Sequence, residues 1–173
     1  MIQVTDNFFQ DLDYFHHHIK NISMYDQDEY NRLNNSSDTW PGYRSFELFD
    51  TEPFLGFLFR NEFKRNFPGV NINGLNINLH LHLRPGTGDQ QPDWIHRDPN
   101  IYSCLVYLND TNYQSGTQMF HKLEEGYRLI NDVRYVKNTA VVFDANIEHR
   151  SSFNFGEDVN NGRLTLNAFF YEN

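Results

Sequence analysis

The chain has 173 residues, enough for one domain with a sizeable hydrophobic core, and its 16 Phe and 10 Tyr supply large side chains for that core. Its formal charge of −9, with 14 scattered basic residues, argues against a nucleic-acid partner. The one cysteine, Cys104, cannot form an internal disulfide, and no apolar run approaches the roughly 20 residues that span a bilayer. Because the first residues also lack an export signal, we expect a soluble cytoplasmic protein with no membrane partner.

The first part of the chain predicts a short strand and then a helix. Residues 2–4 predict the strand, and the apolar spacing after a cap at Asp6 or Asn7 predicts a helix through Ile19. The tract His16-His17-His18 lies on this helix, where consecutive residues point about 100° apart, so the three cannot chelate one ion together. We expect them to be partly exposed surface histidines.

A long polar stretch separates this helix from a second one. Residues 20–44 contain turn signals and predict a loop with one helical turn at most, and loops of this length often act as lids. The second helix is predicted from about residue 52 to residue 67, where Pro68-Gly69 ends it. Its Phe-rich face needs a hydrophobic sheet to pack against.

From residue 75 the apolar period changes from helical to two. One face of the predicted strand is apolar and the other carries His80, His82 and Arg84, so we expect this second face to meet solvent or a wet cavity. The strand ends at Pro85-Gly86-Thr87-Gly88. Further strands are predicted at residues 103–108, 115–120, 127–130, 133–136, 139–143 and 163–171, with a hairpin turn at Asn131-Asp132. Short strands after two helices predict a sheet sandwich or jelly roll with helical cover.

The stretch Trp94-Ile95-His96-Arg97-Asp98 carries the first candidate functional residues. If it is extended, His96 and Asp98 project to the same side, because side chains alternate along a strand. His149 supplies a second imidazole, after the apolar run at residues 140–143. Two imidazoles and one carboxylate, with open positions opposite them, form the facial triad of non-haem Fe(II) oxygenases.

Arg163 begins the last predicted strand and is a candidate anion ligand. Alternation places Arg163 and Thr165 on one face, where a guanidinium and a hydroxyl could bind a carboxylate together. Leu164, Leu166 and Ala168 then occupy the opposite face. The pattern is typical of a strand that lines a cavity.

In chain order, these residues resemble the Fe(II)- and 2-oxoglutarate-dependent dioxygenases, in their prolyl-hydroxylase-like branch. The resemblance runs from about residue 75 to residue 171. The motifs that carry it are His96-Arg97-Asp98, Tyr107-Leu108-Asn109, Ser115-Gly116-Thr117, Val142-Phe143, His149 and Arg163. It implies one oxygenase domain over residues 1–173: a double-stranded β-helix (jelly roll) at 71–173, with the helices of residues 1–70 packed on one sheet.

The resemblance also implies the roles of the site residues. By it, His96, Asp98 and His149 hold Fe(II), and 2-oxoglutarate chelates the metal through its keto-acid end. Its distal carboxylate would pair with Arg163, helped by Thr165 and the Tyr107 hydroxyl. With dioxygen, oxidative decarboxylation to succinate and CO2 would drive hydroxylation of a C–H bond in a peptide, a protein or a small molecule.

Two departures from the family pattern give Arg163 competitors as the anion ligand, although Arg163 remains favoured. Arg84 stands where many relatives have a tyrosine, so it is a second candidate for contact with the cosubstrate. Arg163 also lies farther from the distal histidine than is usual, so residues 151–162 resemble an insertion. Arg150 and Arg97 are weaker competitors, because alternation points them away from the neighbouring metal ligands.

Two other functional classes remain open from the residues. The first is a non-catalytic jelly-roll module whose metal is structural or absent. The second is a cupin-type metal hydrolase or isomerase that uses His80 and His82, although no glutamate follows them before residue 124. Cys104 lies in an apolar strand and is interpreted as a small core residue rather than a nucleophile.

Overall fold

The computed structural model describes residues 1–37, 39–86 and 92–172, in which the strands form two antiparallel sheets. The strands are β1 (Ile2–Thr5), β2 (Tyr43–Arg44), β3 (Asn76–Arg84), β4 (Tyr102–Tyr107), β5 (Asn112–Lys122), β6 (Tyr127–Tyr135), β7 (Ala140–Asp144), β8 (Glu148–Ser151) and β9 (Arg163–Tyr171). The helices are α1 (Leu12–Ile19), α2 (Gln27–Asn34), α3 (Leu48–Thr51) and α4 (Pro53–Asn66).

The large sheet has the order β1-β7-β4-β9-β3-β2 and the small sheet the order β6-β5-β8. Strands that are consecutive in the sequence are thus divided between the two sheets, as in a jelly roll. The predicted fold, mainly β with helices packed on one sheet, is confirmed. β1 and β2 come from the first 70 residues, so this part of the chain contributes two edge strands as well as helices.

The outer face of the large sheet packs against the Phe-rich helices. Phe59 and Phe63 of α4 lie 6.5 and 4.8 Å from Phe170 of β9, between ring centroids. The alternating apolar residues predicted for β3 and β9 join the same core. Each fully buried Phe or Leu contributes roughly 1.5–3 kcal/mol, so this face holds the helices in place. The polar residues of both strands are consequently directed to the inner face.

The register between neighbouring strands determines which residues lie side by side on the inner face of the large sheet. Arg84 lies opposite Arg163, and His82 lies opposite Thr165. Tyr107, at the end of β4, lies opposite Thr165 on the other side of β9. The candidate cosubstrate residues therefore share one region of the large sheet, as alternation predicted.

The first helix begins later than predicted. Asp11 caps α1 by accepting a hydrogen bond from Tyr14 N at 2.8 Å, and the helix starts at Leu12 rather than after Asp6 or Asn7. Asn138 binds the preceding backbone: Phe8 N donates to its carbonyl and Phe9 N to its side chain, both at 2.9 Å. This tertiary contact holds the segment out of the helix.

Two further segment predictions were wrong. Residues 20–44 contain the two-turn helix α2, whose only buried residue is Tyr30, so its apolar period is too weak to detect. The predicted hairpin at Asn131-Asp132 is absent, because β6 runs through these residues. The turn lies between β5 and β6, where Leu123 N donates to Gly126 O at 3.0 Å and Gly126 adopts a φ of 79°.

The stretch around His96 is not a regular strand. It meets β8 through an isolated bridge between His96 and His149. The predicted turn at residues 85–88 lies partly outside the described residues. None of the described helices combines the length and the apolar character needed to cross a bilayer.

Candidate metal centre

His96, Asp98 and His149 are brought together by backbone hydrogen bonds between distant segments. His96 N donates to His149 O at 3.0 Å, and His149 N donates back to His96 O at 2.8 Å. Asp98 N donates to Ala145 O at 3.1 Å, which fixes the carboxylate two residues further along. The convergence predicted from alternation is therefore achieved by a bridge to β8.

The three side chains form one compact group. His149 Nε2 lies 3.4 Å from Asp98 Oδ2, and His96 Nε2 lies 3.8 Å from Asp98 Oδ1. One ligand atom from each residue lies within 4.8 Å of the others. Within residues 1–37, 39–86 and 92–172, this is the one group of three or more such side chains that could hold a metal ion.

Hydrogen bonds orient both imidazoles for metal binding. Nδ1 of His96 lies 3.2 Å from Trp94 O, and Nδ1 of His149 lies 2.9 Å from Ile147 O. A carbonyl only accepts, so each Nδ1 carries a proton and each ring directs its Nε2 towards Asp98. Burial lowers the pKa of His149, which favours the neutral form of that ring despite the nearby Asp98 carboxylate.

The donor set consequently fits a divalent transition metal. Two imidazole nitrogens and a carboxylate oxygen converge within 4.8 Å of one another, and this mixed nitrogen and oxygen set is one that Fe(II) and related metals prefer. Ser103 Oγ donates to Asp98 Oδ2 at 2.6 Å and so orients the carboxylate from behind. This is the arrangement of a three-ligand site with an open side.

A cavity of about 340 Å³ adjoins the three ligands. It lies between the inner face of the large sheet, β8 and the segments at 39–44 and 93–99. Five arginines and two aspartates line it, although the whole chain carries a charge of −9. This local excess of positive charge favours an anionic ligand.

Arg163 is the buried arginine without a counter-charge. It lines the cavity at 3% exposure, its Nη2 donates to Gly116 O at 3.2 Å, and its Nε has no hydrogen-bond partner. No carboxylate in the described part of the chain forms an ion pair with it. Burial lowers its pKa, and the nearby Asp93 carboxylate, which is ion-paired with Arg84, does not offset this effect.

Arg84 also lines the cavity, but its charge is already neutralised. It forms a buried ion pair with Asp93, in which Nε donates to Oδ2 at 3.1 Å and Nη2 donates to Oδ1. Ser151 Oγ and Asn154 Nδ2 donate to the same carboxylate. Of the two cross-strand arginines, Arg163 is therefore the one that needs an anion.

The other predicted cosubstrate residues donate to protein groups. Tyr107 OH donates to Thr117 Oγ1 at 2.8 Å, and Thr165 Oγ1 donates to Asn167 Oδ1 at 2.6 Å. Thr117 lines the cavity, and because its oxygen accepts from Tyr107, its own proton can be donated into the cavity. Thr117 lies in the Ser115-Gly116-Thr117 motif of the sequence, but no role was predicted for it. Its position on the predicted strand at residues 115–120 was the one sign in the sequence that its side chain could face the cavity.

Comparisons by sequence find no relative, whereas comparisons by structure find many. No family model and no curated protein sequence matches the chain. The alpha-ketoglutarate-dependent epimerase SnoN of nogalamycin biosynthesis aligns with a TM-score of 0.66 over 99% of this chain and 78% of SnoN, at 9% identity. HygX from Streptomyces hygroscopicus, solved with nickel and 2-oxoglutarate, aligns with a TM-score of 0.63 over 99% of this chain and 82% of HygX, at 12% identity.

A prolyl hydroxylase from Trichoplax adhaerens, in complex with a peptide of hypoxia inducible factor, aligns with a TM-score of 0.56. The match covers 99% of this chain and 83% of that enzyme, at 14% identity. This chain has the fold of the 2-oxoglutarate-dependent oxygenases.

In this oxygenase fold the two weaker arginine candidates are held at the rim of the cavity. Arg97 Nε lies 3.1 Å from Glu148 Oε1 in an ion pair. Arg150 Nε donates to Gln118 Oε1 at 3.1 Å, and its guanidinium lies 5.1 Å from the ring centroid of Phe120. Both arginines are thus bound to side chains of the small sheet.

Three histidines outside the candidate metal group contact backbone carbonyls. His80 Nδ1 lies 3.1 Å from Ser45 O and His82 Nε2 lies 2.8 Å from Pro41 O, and burial lowers the pKa of His80 to about 4. Neither belongs to a group of three ligands among the described residues, so the structure does not support a cupin-type site there. His16 Nε2 lies 2.8 Å from Leu108 O, and His17 and His18 are exposed, as predicted for surface histidines.

Proposed function

We propose that the protein is an Fe(II)- and 2-oxoglutarate-dependent dioxygenase. It would hydroxylate a C–H bond of a peptide, a protein or a small molecule and release succinate and CO2. The observation that carries this proposal is the pairing, in one cavity, of a convergent His-Asp-His group with a buried arginine that forms no ion pair. The first needs a divalent cation and the second needs an anion, and 2-oxoglutarate chelated to Fe(II) satisfies both.

The residues divide the binding of the cofactors between them. His96, Asp98 and His149 would hold Fe(II) and leave its remaining positions open to the cavity. Arg163 would pair with the distal carboxylate of 2-oxoglutarate, and Thr117, polarised by the Tyr107 hydroxyl, would donate a hydrogen bond to it. With dioxygen, the bound Fe(II) and 2-oxoglutarate would supply the oxidising chemistry.

Other residues stabilise this arrangement and exclude water. Asp93 neutralises Arg84 and so removes a competing cation from beside Arg163. Leu105 of β4 and Phe169 of β9 add apolar surface to the lining of the cavity. Apolar surface beside a bound anion would strengthen its electrostatic contacts.

Similar folds support both substrate classes. One structure of SnoN holds Fe3+, alpha ketoglutarate and the small molecule nogalamycin RO, while the Trichoplax adhaerens enzyme holds a peptide. In this chain, the exposed ring of Trp94 at the cavity gives a substrate an apolar surface to contact. A substrate screen should therefore include both peptides and amphipathic small molecules.

The decisive experiment measures succinate formation by Fe(II)-loaded protein with and without dioxygen. We expect oxygen-dependent succinate, including slow turnover without a prime substrate, and its loss in Asp98→Ala. Asp110→Ala is the matched control, because Asp110 is an exposed carboxylate at the surface. Succinate from Asp98→Ala at the wild-type rate would refute the ligand assignment; metal binding without any 2-oxoglutarate turnover would identify a non-catalytic module instead.

A further inference from the structure

One side of the cavity is formed by Thr39, Trp40 and Pro41, which we call the Trp40 wall. Trp40 is packed from two directions: its ring lies edge-on to Tyr30, with centroids 4.7 Å apart, and the Arg44 guanidinium lies 4.2 Å above it. Trp40 N also donates to Gln27 Oε1 at 3.1 Å. These contacts attach the wall to α2 and β2, which form the edge of the molecule beside β3.

A separate set of contacts joins the Trp40 wall to the interior. His82 Nε2 donates to Pro41 O at 2.8 Å, and Asn167 Nδ2 donates to His82 Nδ1 at 3.3 Å. Thr165 Oγ1 in turn donates to Asn167 Oδ1 at 2.6 Å. These three hydrogen bonds form one uninterrupted chain from β9 through β3 to the wall.

This series of hydrogen bonds requires that His82 accept at one ring nitrogen and donate at the other. Pro41 O only accepts, so His82 Nε2 must carry the proton and Nδ1 must accept from Asn167. The ring is thus neutral, and burial, aided by the positive charge of Arg44, lowers the pKa of His82 well below its usual value. A protonated His82 would have no lone pair for Asn167.

The backbone that follows the wall is also in close contact with β3. Gly42, which follows Pro41, has a φ of +82°, and a Cβ at this position would lie 2.3 Å from Leu83 O. The backbone of the wall therefore rests directly on β3 beside His82. This close approach and the hydrogen bond from His82 both join the wall to β3.

We propose that His82 is a positioning residue that couples the Trp40 wall to β9 through its two ring nitrogens. The coupling to cosubstrate rests on the proposed function, because β9 carries Arg163, the residue that would bind 2-oxoglutarate. Occupation of the cosubstrate site then fixes β9, and the hydrogen bonds from β9 through His82 fix the wall that faces the substrate. The attachment of the wall to His82 does not depend on any ligand.

Two substitutions separate the donor role of His82 from its bulk. In His82→Gln the amide nitrogen can reach the position of Nε2 and keep the bond to Pro41, whereas in His82→Asn the amide reaches only the position of Nδ1. His80→Asn is the matched control, since His80 is buried on the same strand but binds Ser45 O rather than the wall. All three variants keep a neutral amide in a buried place.

Acrylamide quenching of Trp40 fluorescence reports on the wall directly. The chain has two tryptophans, so all variants are made with Trp94→Phe, which leaves Trp40 as the sole emitter. Trp40 is 5% exposed, so its quenching should be low. We expect quenching to rise about fivefold in His82→Asn, the change in an opening equilibrium that one lost hydrogen bond produces, and to stay near the starting value in His82→Gln and His80→Asn. Equal quenching in His82→Asn and His82→Gln would overturn the proposal.

A second measurement adds 2-oxoglutarate to the same proteins loaded with Zn(II), which does not turn over. We expect 2-oxoglutarate to reduce the quenching of Trp40 in the Trp94→Phe protein and to bind His82→Asn without doing so. Asn167→Leu interrupts the chain one link earlier: it should keep the wall closed but lose its response to 2-oxoglutarate, and it tests the coupling even if His82→Asn does not fold.

The two proposals fail in different ways. If the Trp94→Phe protein does not bind 2-oxoglutarate, the proposed function fails, and the quenching of the ligand-free variants still decides whether His82 holds the wall. If 2-oxoglutarate reduces the quenching of Trp40 in His82→Asn and in Asn167→Leu as much as in the Trp94→Phe protein, the coupling is refuted while the proposed function stands.

Discussion

Replacing Arg163 by methionine tests the cosubstrate site most directly, because it should change binding and stability in opposite directions. Methionine fills a similar volume but removes the guanidinium that would pair with the distal carboxylate of 2-oxoglutarate. Two charge-assisted hydrogen bonds contribute about 3 kcal/mol together, so the Kd for 2-oxoglutarate should rise about 150-fold. In the ligand-free protein the same change removes a buried cation without an ion pair, and the fold should keep or gain stability.

Arg84→Met is the contrasting control on the neighbouring strand. It would leave the Asp93 carboxylate buried without its cation, which destabilises a protein by about 3–5 kcal/mol. Calorimetric titration of the Zn(II)-loaded proteins with 2-oxoglutarate measures binding, and urea unfolding without ligand measures stability. The reasoning would be refuted if Arg163→Met bound 2-oxoglutarate within about threefold of the wild-type Kd, or lost as much stability as Arg84→Met.

Three further changes test other parts of the site and its scaffold. Thr117→Val keeps the shape of the side chain but removes its hydroxyl, so the affinity for 2-oxoglutarate should fall about tenfold in the same titration. Ser103→Ala removes the donor that orients Asp98, so Zn(II) affinity should fall about 10–100-fold in competition with a chromogenic chelator. Acid should destabilise the fold, because the pKa of His80 is about 4 when folded and 6.5 when unfolded. The unfolded chain then takes up the proton first, and the free energy of unfolding should fall by up to about 1.4 kcal/mol per pH unit as the pH drops from about 6.5 to about 4. His80→Asn keeps the donor to Ser45 and should reduce this slope in urea unfolding at several pH values.

Each of these outcomes has a clear opposite. An unchanged Kd in Thr117→Val would mean that Tyr107 or Thr165, rather than Thr117, supplies the hydroxyl that contacts 2-oxoglutarate. Unchanged Zn(II) affinity in Ser103→Ala would mean that the backbone bridge alone orients the metal ligands. An unaltered pH slope in His80→Asn would show that folding does not lower the pKa of His80.

The sequence alone determined the strands that line the cavity and the residue types at its centre. Alternation along β3 and β9 is a local property, since each side chain's face follows from its position in the strand, and the apolar faces of both strands join the predicted core. The two histidines and the aspartate were found because few chemistries need that combination in that order. Helix α4 was predicted for the same local reason, from its apolar period and the Pro-Gly stop.

Only the tertiary structure decided which polar groups remain available for ligands. The sequence favoured Arg163 and kept Arg84 as a second candidate, and what separates them physically is Asp93, a carboxylate from a different segment that pairs with Arg84 and not with Arg163. Thr117 rather than Thr165 lines the cavity, and the Thr165 hydroxyl donates to Asn167 instead. Ion pairing and hydrogen bonding in a buried site depend on distances between residues far apart in the chain, and no local period encodes those distances.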